Sequence, residues 1–359
     1  MAKIDVLIFD MDGVLVDVSG SYREAIRRVP QVFFEEVCRL KPMEEELVSP
    51  EEVDAFKLAG GLNNDWECTA AVTAALATSL SEPLPPPPDS GGMASYLEIL
   101  GEWGALQGVG VEELARRADL MGLAEQVSED AGGLASALAA AGLSEELFPV
   151  AFGSLDEGNV IMRLFQEMYL GPELFETTYG EASLVLKEPG LIEREELLID
   201  RSVLERLASQ VPLGIATGRP RAEAAHALSR HEIADYFSTV VDDEDVLEAE
   251  AVERDKGGEP ERLSKPHPWS LLEAVRRIAE GRPVRAAYVG DTPDDLLAAR
   301  AADATIPFLA IGTAQTLDEY KWASAVFRNV GVDIILGHPD GLQYLDIFGG
   351  AVSKAEGSD

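Results

Sequence analysis

Positive charge is scarce in this 359-residue chain. Lysine and arginine number 29 against 65 aspartates and glutamates, a formal net charge of −36, and eight of the 29 are lysine. So acidic a surface repels polyanions, which argues against nucleic acid and anionic membranes as partners. Two cysteines, Cys38 and Cys68, cannot build a disulfide framework and read as small buried side chains. Four scattered histidines, His226, His231, His267 and His338, show no zinc-type spacing and receive no catalytic role. No run approaches ~18 consecutive apolar residues, so no membrane-spanning helix is expected. A core strand begins almost at the first residue, which leaves no room for a signal peptide and makes the cytoplasm the default location. The acid excess itself has two readings: a soluble, self-repelling surface, or adaptation to high internal salt, where screening shortens the reach of repulsion.

What the chain does have is a hydrophobic content of 46% and enough length for two domains. Its most informative stretch is IFDMDGVLVD near the N-terminus. The apolar run Ile4 to Phe9 predicts a strand covered on both faces, ending on Asp10 and Asp12. Gly13 relaxes the backbone where the chain leaves the sheet. Two carboxylates at the carboxyl edge of a sheet stand where open α/β folds bind ligands. One can attack a phosphorus centre while the other handles the proton, and together they suit Mg²⁺. The plain alternative is an Asp-Gly hairpin turn.

Three further pieces follow in order. VPLGIATGRP, residues 211–220, predicts a short strand from Leu213 to Ala216 with Thr217-Gly218 at its end, where a hydroxyl and backbone N–H groups can hold phosphate oxygens. Arg219 and Pro220 would open the next helix. LSKPHPW, residues 263–269, places Lys265 before a helix that Pro268 starts; a lysine near a phosphate stabilises developing negative charge. AAYVGDTPDDLLAAR, residues 286–300, is another apolar strand, running into Gly290-Asp291 and a helix start carrying Asp294 and Asp295. Asp291 reads as a metal ligand, and Asp295 as a ligand or its support. Each piece also has an ordinary reading: a strand-to-helix turn, a solvated lysine, acids complementing a helix dipole.

DMDGVLVD, ATGRP, KPHP and GDTPDD, in this order, resemble the motifs of the haloacid dehalogenase superfamily. The resemblance covers roughly residues 1–20 and 195–345. It implies a Rossmann-like, doubly wound parallel α/β sheet with an inserted α-helical cap of the C1 type. The core would be residues 1–18 and 196–348, the cap 19–195 with a proline-rich insertion at 81–92, and 349–359 a disordered tail. It further implies that Asp10 is the nucleophile forming an aspartyl-phosphate and Asp12 the general acid/base. Thr217, Gly218 and Lys265 would bind the phosphoryl group. Asp10, the backbone carbonyl of Asp12, and Asp291 would bind Mg²⁺ with support from Asp295. Members acting on carbon–halogen bonds lack an acid two positions after the nucleophile, so Asp12 favours phosphoester chemistry. The stretches DVSGSYREAIR, KLAGGLNNDWECT, FQEMYLG and ATGRPRAEA resemble a small group within subfamily IA, whose fused relatives suggest histidinol-phosphate as substrate. The reaction implied is hydrolysis of a small phosphorylated metabolite. A phosphomutase, or a non-catalytic docking role for the cap, are the alternatives.

Between the motifs, residues 20–40 predict one long helix, with Arg23 on a solvated face or, one turn beyond the catalytic loop, facing the substrate. Residues 51–59 predict a short helix ending at Gly60-Gly61, and a second one begins at Asn63-Asn64. In capped members such a tip chooses the substrate, which makes Asn63, Asn64, Asp65 and Trp66, with Arg219, the specificity candidates. SEPLPPPPDSGG, residues 81–92, is extended. Helical stretches are expected near 111–122, 133–141 and 159–169. Further on, a strand is expected at 238–241, a solvated acidic loop at Asp242, Asp243 and Asp245, and a charged loop over 246–262.

Overall fold

The structure is a computed structural model. It describes residues 3–58, 62, 64–130, 133–155, 157–255, 262–314 and 317–348. Asn63, Gly60, Gly61 and the tail from 349 lie outside the described residues. The chain divides into two compact units, Met1–Val18 with Glu195–Asp359, and Ser19–Arg194.

The first unit is an α/β sheet unit. In chain order its strands are β1 (Val6–Phe9), β2 (Val16–Asp17), β3 (Glu196–Leu197), β4 (Leu213–Ala216), β5 (Phe237–Val241), β6 (Ala286–Gly290), β7 (Phe308–Thr313) and β8 (Ile334–Leu336). Six form one sheet in the order β5-β4-β1-β6-β7-β8, and every pairing in it is parallel. The register sets Phe9 opposite Ile215 on one side and Val289 on the other. β1 is therefore central, and the strand order reverses beside it, where such sheets open a crevice at their carboxyl ends.

The alternation within β1 explains its place. Leu7 and Phe9 pack into a cluster with Val203, Leu207, Ile215 and Leu228 on one face. Val6 and Ile8 join Leu271, Val275, Leu296 and Phe327 on the other. All four β1 side chains are buried, each contributing about 1.5–3 kcal/mol. β2 and β3 form a separate antiparallel pair, Val16 opposite Leu197, which ties the segment after Asp12 to the chain entering from Arg194.

The second unit is helical. Tyr22 stacks on Tyr169 with ring centroids 4.2 Å apart and lies 5.8 Å from Phe165. The expected helix over 20–40 is shorter: an α-helix spans Tyr22–Val32, then widens into a π-turn at Phe33–Val37. Cys38 N–H bonds the Phe33 carbonyl at 2.8 Å, and Arg39 turns into left-handed backbone at φ 55°, which ends the helix. Arg23 pairs with Asp54 at 2.9 Å. The stretch expected at 133–141 is the helix Gly133–Ala140; the one expected near 111–122 is broken into Val111–Arg117 and Leu120–Asp130, and a further helix, Gly92–Ala105, precedes them. The expected helix at 159–169 runs on from Val160 to Tyr179 across a break at Gly171-Pro172. Gly171 sits at φ 72°, and a Cβ on it would stand 2.4 Å from the Gly190 backbone nitrogen. Only glycine permits that approach.

Two expectations in the first unit are corrected. The expected charged loop from 246 is largely helix, Asp243–Asp255, because DEDVLEAEAVERD is rich in strong helix formers with acids in its first turn. The acids after β5 are not a solvated loop. Asp242 is buried, binds Arg221 at 2.8 Å, and accepts the Asp245 N–H at 3.0 Å, capping that helix. Among the described residues no helix is long and apolar enough to cross a membrane.

Candidate active site

Three parallel strands bring the sequence motifs to one edge. β1 delivers Asp10, β4 delivers Thr217, and β6 delivers Asp291, each just past its strand's last residue. Asp10 N–H bonds the Val289 carbonyl at 2.8 Å, and Thr217 N–H bonds the Val241 carbonyl at 3.0 Å, so both are fixed by the sheet itself. After Asp10 the chain folds back tightly, with Leu15 and Val16 N–H groups both on the Met11 carbonyl at 2.8 and 3.0 Å. That turn holds Asp12 above the sheet, its side chain 32% exposed.

Lys265 joins the edge from a distant loop. Its Nζ donates to Asp10 Oδ1 at 2.9 Å and Asp295 Oδ1 at 2.6 Å, and bonds the Tyr288 hydroxyl at 2.9 Å. The Tyr288 hydroxyl also lies 3.1 Å from both the Ala216 carbonyl and Asp295 Oδ1. Asp295 is held in turn by a capping box: its Oδ2 accepts the Thr292 N–H and hydroxyl, while its own N–H bonds Thr292 Oγ1.

The two carboxylates sharing Lys265 are pushed apart. Burial pushes the Asp10 carboxyl up to about 7; Lys265 opposes the shift, while Asp295 and Asp12 add to it. Asp295 is also buried, but Lys265 and Thr292 outweigh burial and hold it below the usual carboxylate range. Burial works against the Lys265 charge, yet Asp10 and Asp295 hold it well above the ordinary lysine range. Burial, then Asp10 and Asp295, push the Tyr288 phenol well up, so it stays a neutral hydroxyl.

Asp10, Asp291 and Asp295 offer oxygens that all lie within 4.8 Å of one another. Three carboxylates converging on one point, at a sheet edge rather than on open surface, fit a hard divalent cation such as Mg²⁺.

Arg219, named as a specificity candidate, has a fully buried side chain, with Nε 2.6 Å from Asp12 Oδ1 and both Nη atoms 3.0 Å from the Glu195 carboxylate. Thr217 Oγ1 accepts the Arg219 N–H at 3.1 Å, and Gly218 is exposed at the tip of that turn. Asn64, Asp65 and Trp66 belong to the second unit. Asn64 caps the helix Asp65–Ala77, accepting the N–H groups of Trp66 and Glu67, and Asp65 pairs with Lys57 at 2.5 Å. A cavity of about 520 Å³ lies elsewhere in the first unit, lined by Asp245, His267, Trp269 and Arg277, and holds none of these groups.

Sequence reasoning missed Tyr288, Thr292 and Glu195. Thr292 was findable, because Thr-x-x-Asp before an apolar run is a helix-start signature. A tyrosine in an apolar strand and a glutamate in a charged run carry no such signal.

The model of the haloacid dehalogenase-like hydrolases matches residues 4–303. Among curated proteins, the chain is 25% identical over 343 residues to imidazoleglycerol-phosphate dehydratase of Phytophthora nicotianae, covering 93% of this chain and 50% of that protein. It is 31% identical over 130 residues to phosphoglycolate phosphatase of Escherichia coli K12, covering 36% of this chain and 43% of that protein. The chain thus spans about half the length of the curated relatives it matches. A solved structure of a Northeast Structural Genomics Consortium target aligns over 95% of this chain and 97% of its own at TM-score 0.64 and 19% identity, a likeness of fold. Since the family match runs through β1, β4 and β6 and every motif residue at their ends, the chain belongs to the haloacid dehalogenase-like hydrolase family.

Proposed function

We propose that this protein is a Mg²⁺-dependent phosphomonoesterase acting on a small phosphorylated metabolite. One observation carries the reading. Asp10, a buried carboxylate at the central strand's end, shares Lys265 with Asp295 and lies within a three-carboxylate cluster, while a second acid stands two residues on. In the first step Asp10 attacks phosphorus in line, the ester P–O bond breaks, and the leaving oxygen takes its proton from Asp12. In the second, water gives its proton to Asp12 and attacks phosphorus, the P–O bond to Asp10 breaks, and the carboxylate is restored. Lys265, with the Thr217-Gly218 turn, holds the phosphoryl oxygens and stabilises their charge. Mg²⁺ held by Asp10, Asp291 and the Asp12 backbone carbonyl, with Asp295 in support, would add positive charge at the same oxygens.

The second unit, Ser19–Arg194, one residue shorter than the expected 19–195, is read as the cap, with Asn63, Asn64, Asp65 and Trp66 as its specificity segment. Histidinol-phosphate is the first substrate to try, because a relative that matches 93% of this chain is named for a phosphorylated imidazole compound. A phosphomutase would share Asp10 and Asp12.

The test is phosphate release from a panel of phosphorylated metabolites, with Mg²⁺ or EDTA and with Asp10→Asn as control. Turnover of one compound, dependent on Mg²⁺ and lost in the variant, supports the reading. Isomerised phosphate ester without free phosphate would replace it with the mutase, and silence from a folded protein would overturn both.

A further inference from the structure

We infer that Glu195 and Arg219 are positioning residues for Asp12, forming a buried relay that aims its carboxylate. The inference rests on the reading of Asp12 as the proton-transfer group and extends it to two residues outside the four motifs' chemistry.

The relay is held at both ends by backbone. Glu195 precedes β3, and the pairing of β3 with β2 (Asp17 opposite Glu196, Val16 opposite Leu197), with the bond from Leu198 N–H, just after β3, to the Leu15 carbonyl at 2.9 Å, attaches it to the turn carrying Asp12. Arg219 is attached to the other side of the site. Its N–H bonds Thr217 Oγ1 at 3.1 Å, and its carbonyl accepts the Asp243 N–H at 3.0 Å. Between these anchors the guanidinium makes a forked pair with Glu195, both bonds at 3.0 Å, and turns its Nε onto Asp12 Oδ1 at 2.6 Å. The Arg219 side chain is fully buried and Glu195 is 1% exposed, whereas Asp12 is 32% exposed. A planar fork leaves arginine little rotational freedom. The partly exposed carboxylate thereby inherits the rigidity of the buried pair.

Stability alone is a poor account of this arrangement. A buried ion pair contributes little beyond an apolar pair of the same volume, because desolvation offsets the attraction. What an apolar pair would not supply is the directed N–H on Asp12. A carboxylate that must protonate one oxygen and later deprotonate a water gains from being held, since misplacement by about 1 Å can cost ~10²-fold in rate.

The experiment uses p-nitrophenyl phosphate and an alkyl phosphate, with Mg²⁺. Nitrophenolate leaves without a proton, so forming the aspartyl-phosphate from it does not need Asp12, whereas hydrolysing that intermediate does. The variant is Arg219→Met with Glu195→Met, which leaves no lone buried charge; Arg219→Met alone is a second arm. The double variant should release a burst of about one nitrophenolate per enzyme and then turn over ~10²-fold more slowly than wild type. Its alkyl phosphate turnover should fall at the first step. In an Asp12→Asn background the same substitutions should add no further loss. A proportional fall in both steps and both substrates, or a full additional loss on Asp12→Asn, would overturn the relay. If wild type turns over neither compound, the phosphatase reading fails separately. Crystal structures of wild type and double variant then decide the relay: a displaced Asp12 side chain supports it, and an unmoved one overturns it.

Discussion

Lys265 Nζ donates to Asp10 Oδ1 at 2.9 Å although 255 residues separate them in the chain. The same ammonium lies 2.6 Å from Asp295, so it keeps two buried carboxylates from facing each other unneutralised. Replacing it with methionine should therefore act twice. Phosphate release should fall by about 10²–10³-fold through lost charge stabilisation. Denaturation midpoints should also drop in EDTA and recover in part with Mg²⁺, which would take over the charge between the acids. An unchanged kcat in Lys265→Met would remove Lys265 from the chemistry.

The position of Asp10 makes the metal-free protein sensitive to pH. Its carboxyl is raised from 3.8 to about 7 by burial in the folded state. Below 3.8 both folded and unfolded chains hold the proton. From there to about 7 the folded state keeps a proton that the unfolded state has released, so stability falls as pH rises, and above about 7 the loss is complete. Asp10→Asn removes this contribution. In EDTA, the variant should gain stability relative to wild type between about pH 4 and about pH 8. Parallel denaturation curves at both pH values would refute the assignment.

Asp291 should govern metal dependence rather than folding. It is partly exposed and contributes one oxygen to the cluster with Asp10 and Asp295. Asp291→Asn should raise the Mg²⁺ concentration for half-maximal activity by ~10-fold or more, the scale at which loss of a supporting group is felt. Its melting in EDTA should match wild type. A Mg²⁺ titration by activity and by calorimetry checks both halves.

Gly290 closes β6 where Asp295 comes nearest. A Cβ there would stand 2.3 Å from the Asp295 Cβ and 2.8 Å from its Cγ. Gly290→Ala must displace the start of the helix Pro293–Ala302 or the Asp295 carboxylate with it. The expected cost is about 1–3 kcal/mol of stability, together with a higher Mg²⁺ concentration for half-maximal activity. Wild-type values in both assays would show that the helix start yields without effect.

The second unit has its own buried charge. Glu167 is fully buried and accepts from Arg163 Nε, the Ser183 hydroxyl, and the N–H groups of Leu184, Val185 and Leu186. Arg163 also binds Glu181 and the Ala182 carbonyl, so this one pair organises the segment 181–186. Glu167→Ala should cost roughly 3–5 kcal/mol by removing the buried partner of Arg163, which keeps Glu181 as a carboxylate partner, and by leaving the N–H groups of Leu184, Val185 and Leu186 without their acceptor. Urea denaturation measures it, and a loss under about 1 kcal/mol would show that the segment is held by other contacts.

Local pattern was legible where chemistry and period coincide. Val6–Phe9, Leu213–Ala216 and Ala286–Gly290 are apolar runs that stop at a polar residue, and they are strands. Asn64 is a cap because its short amide reaches its own backbone. The failures have physical causes as well. Residues 246–255 carry a charge density that points to a solvated loop, although their Glu, Ala and Leu favour the helix that forms. The π-turn at Phe33–Val37 leaves no mark on an apolar periodicity that continues through it.

The chain by itself determined which residue types stand at strand ends, in what order, and hence the family. Those are properties of short segments, set by side-chain period and by where glycine or an acid interrupts it. Only the tertiary structure decided what each charge meets. Arg219 meets Glu195 and Asp12, and Asp242 is a buried cap rather than a solvated acid. Ionic partners are chosen by burial and distance across hundreds of residues, and neither is encoded in the spacing of the residues along the chain.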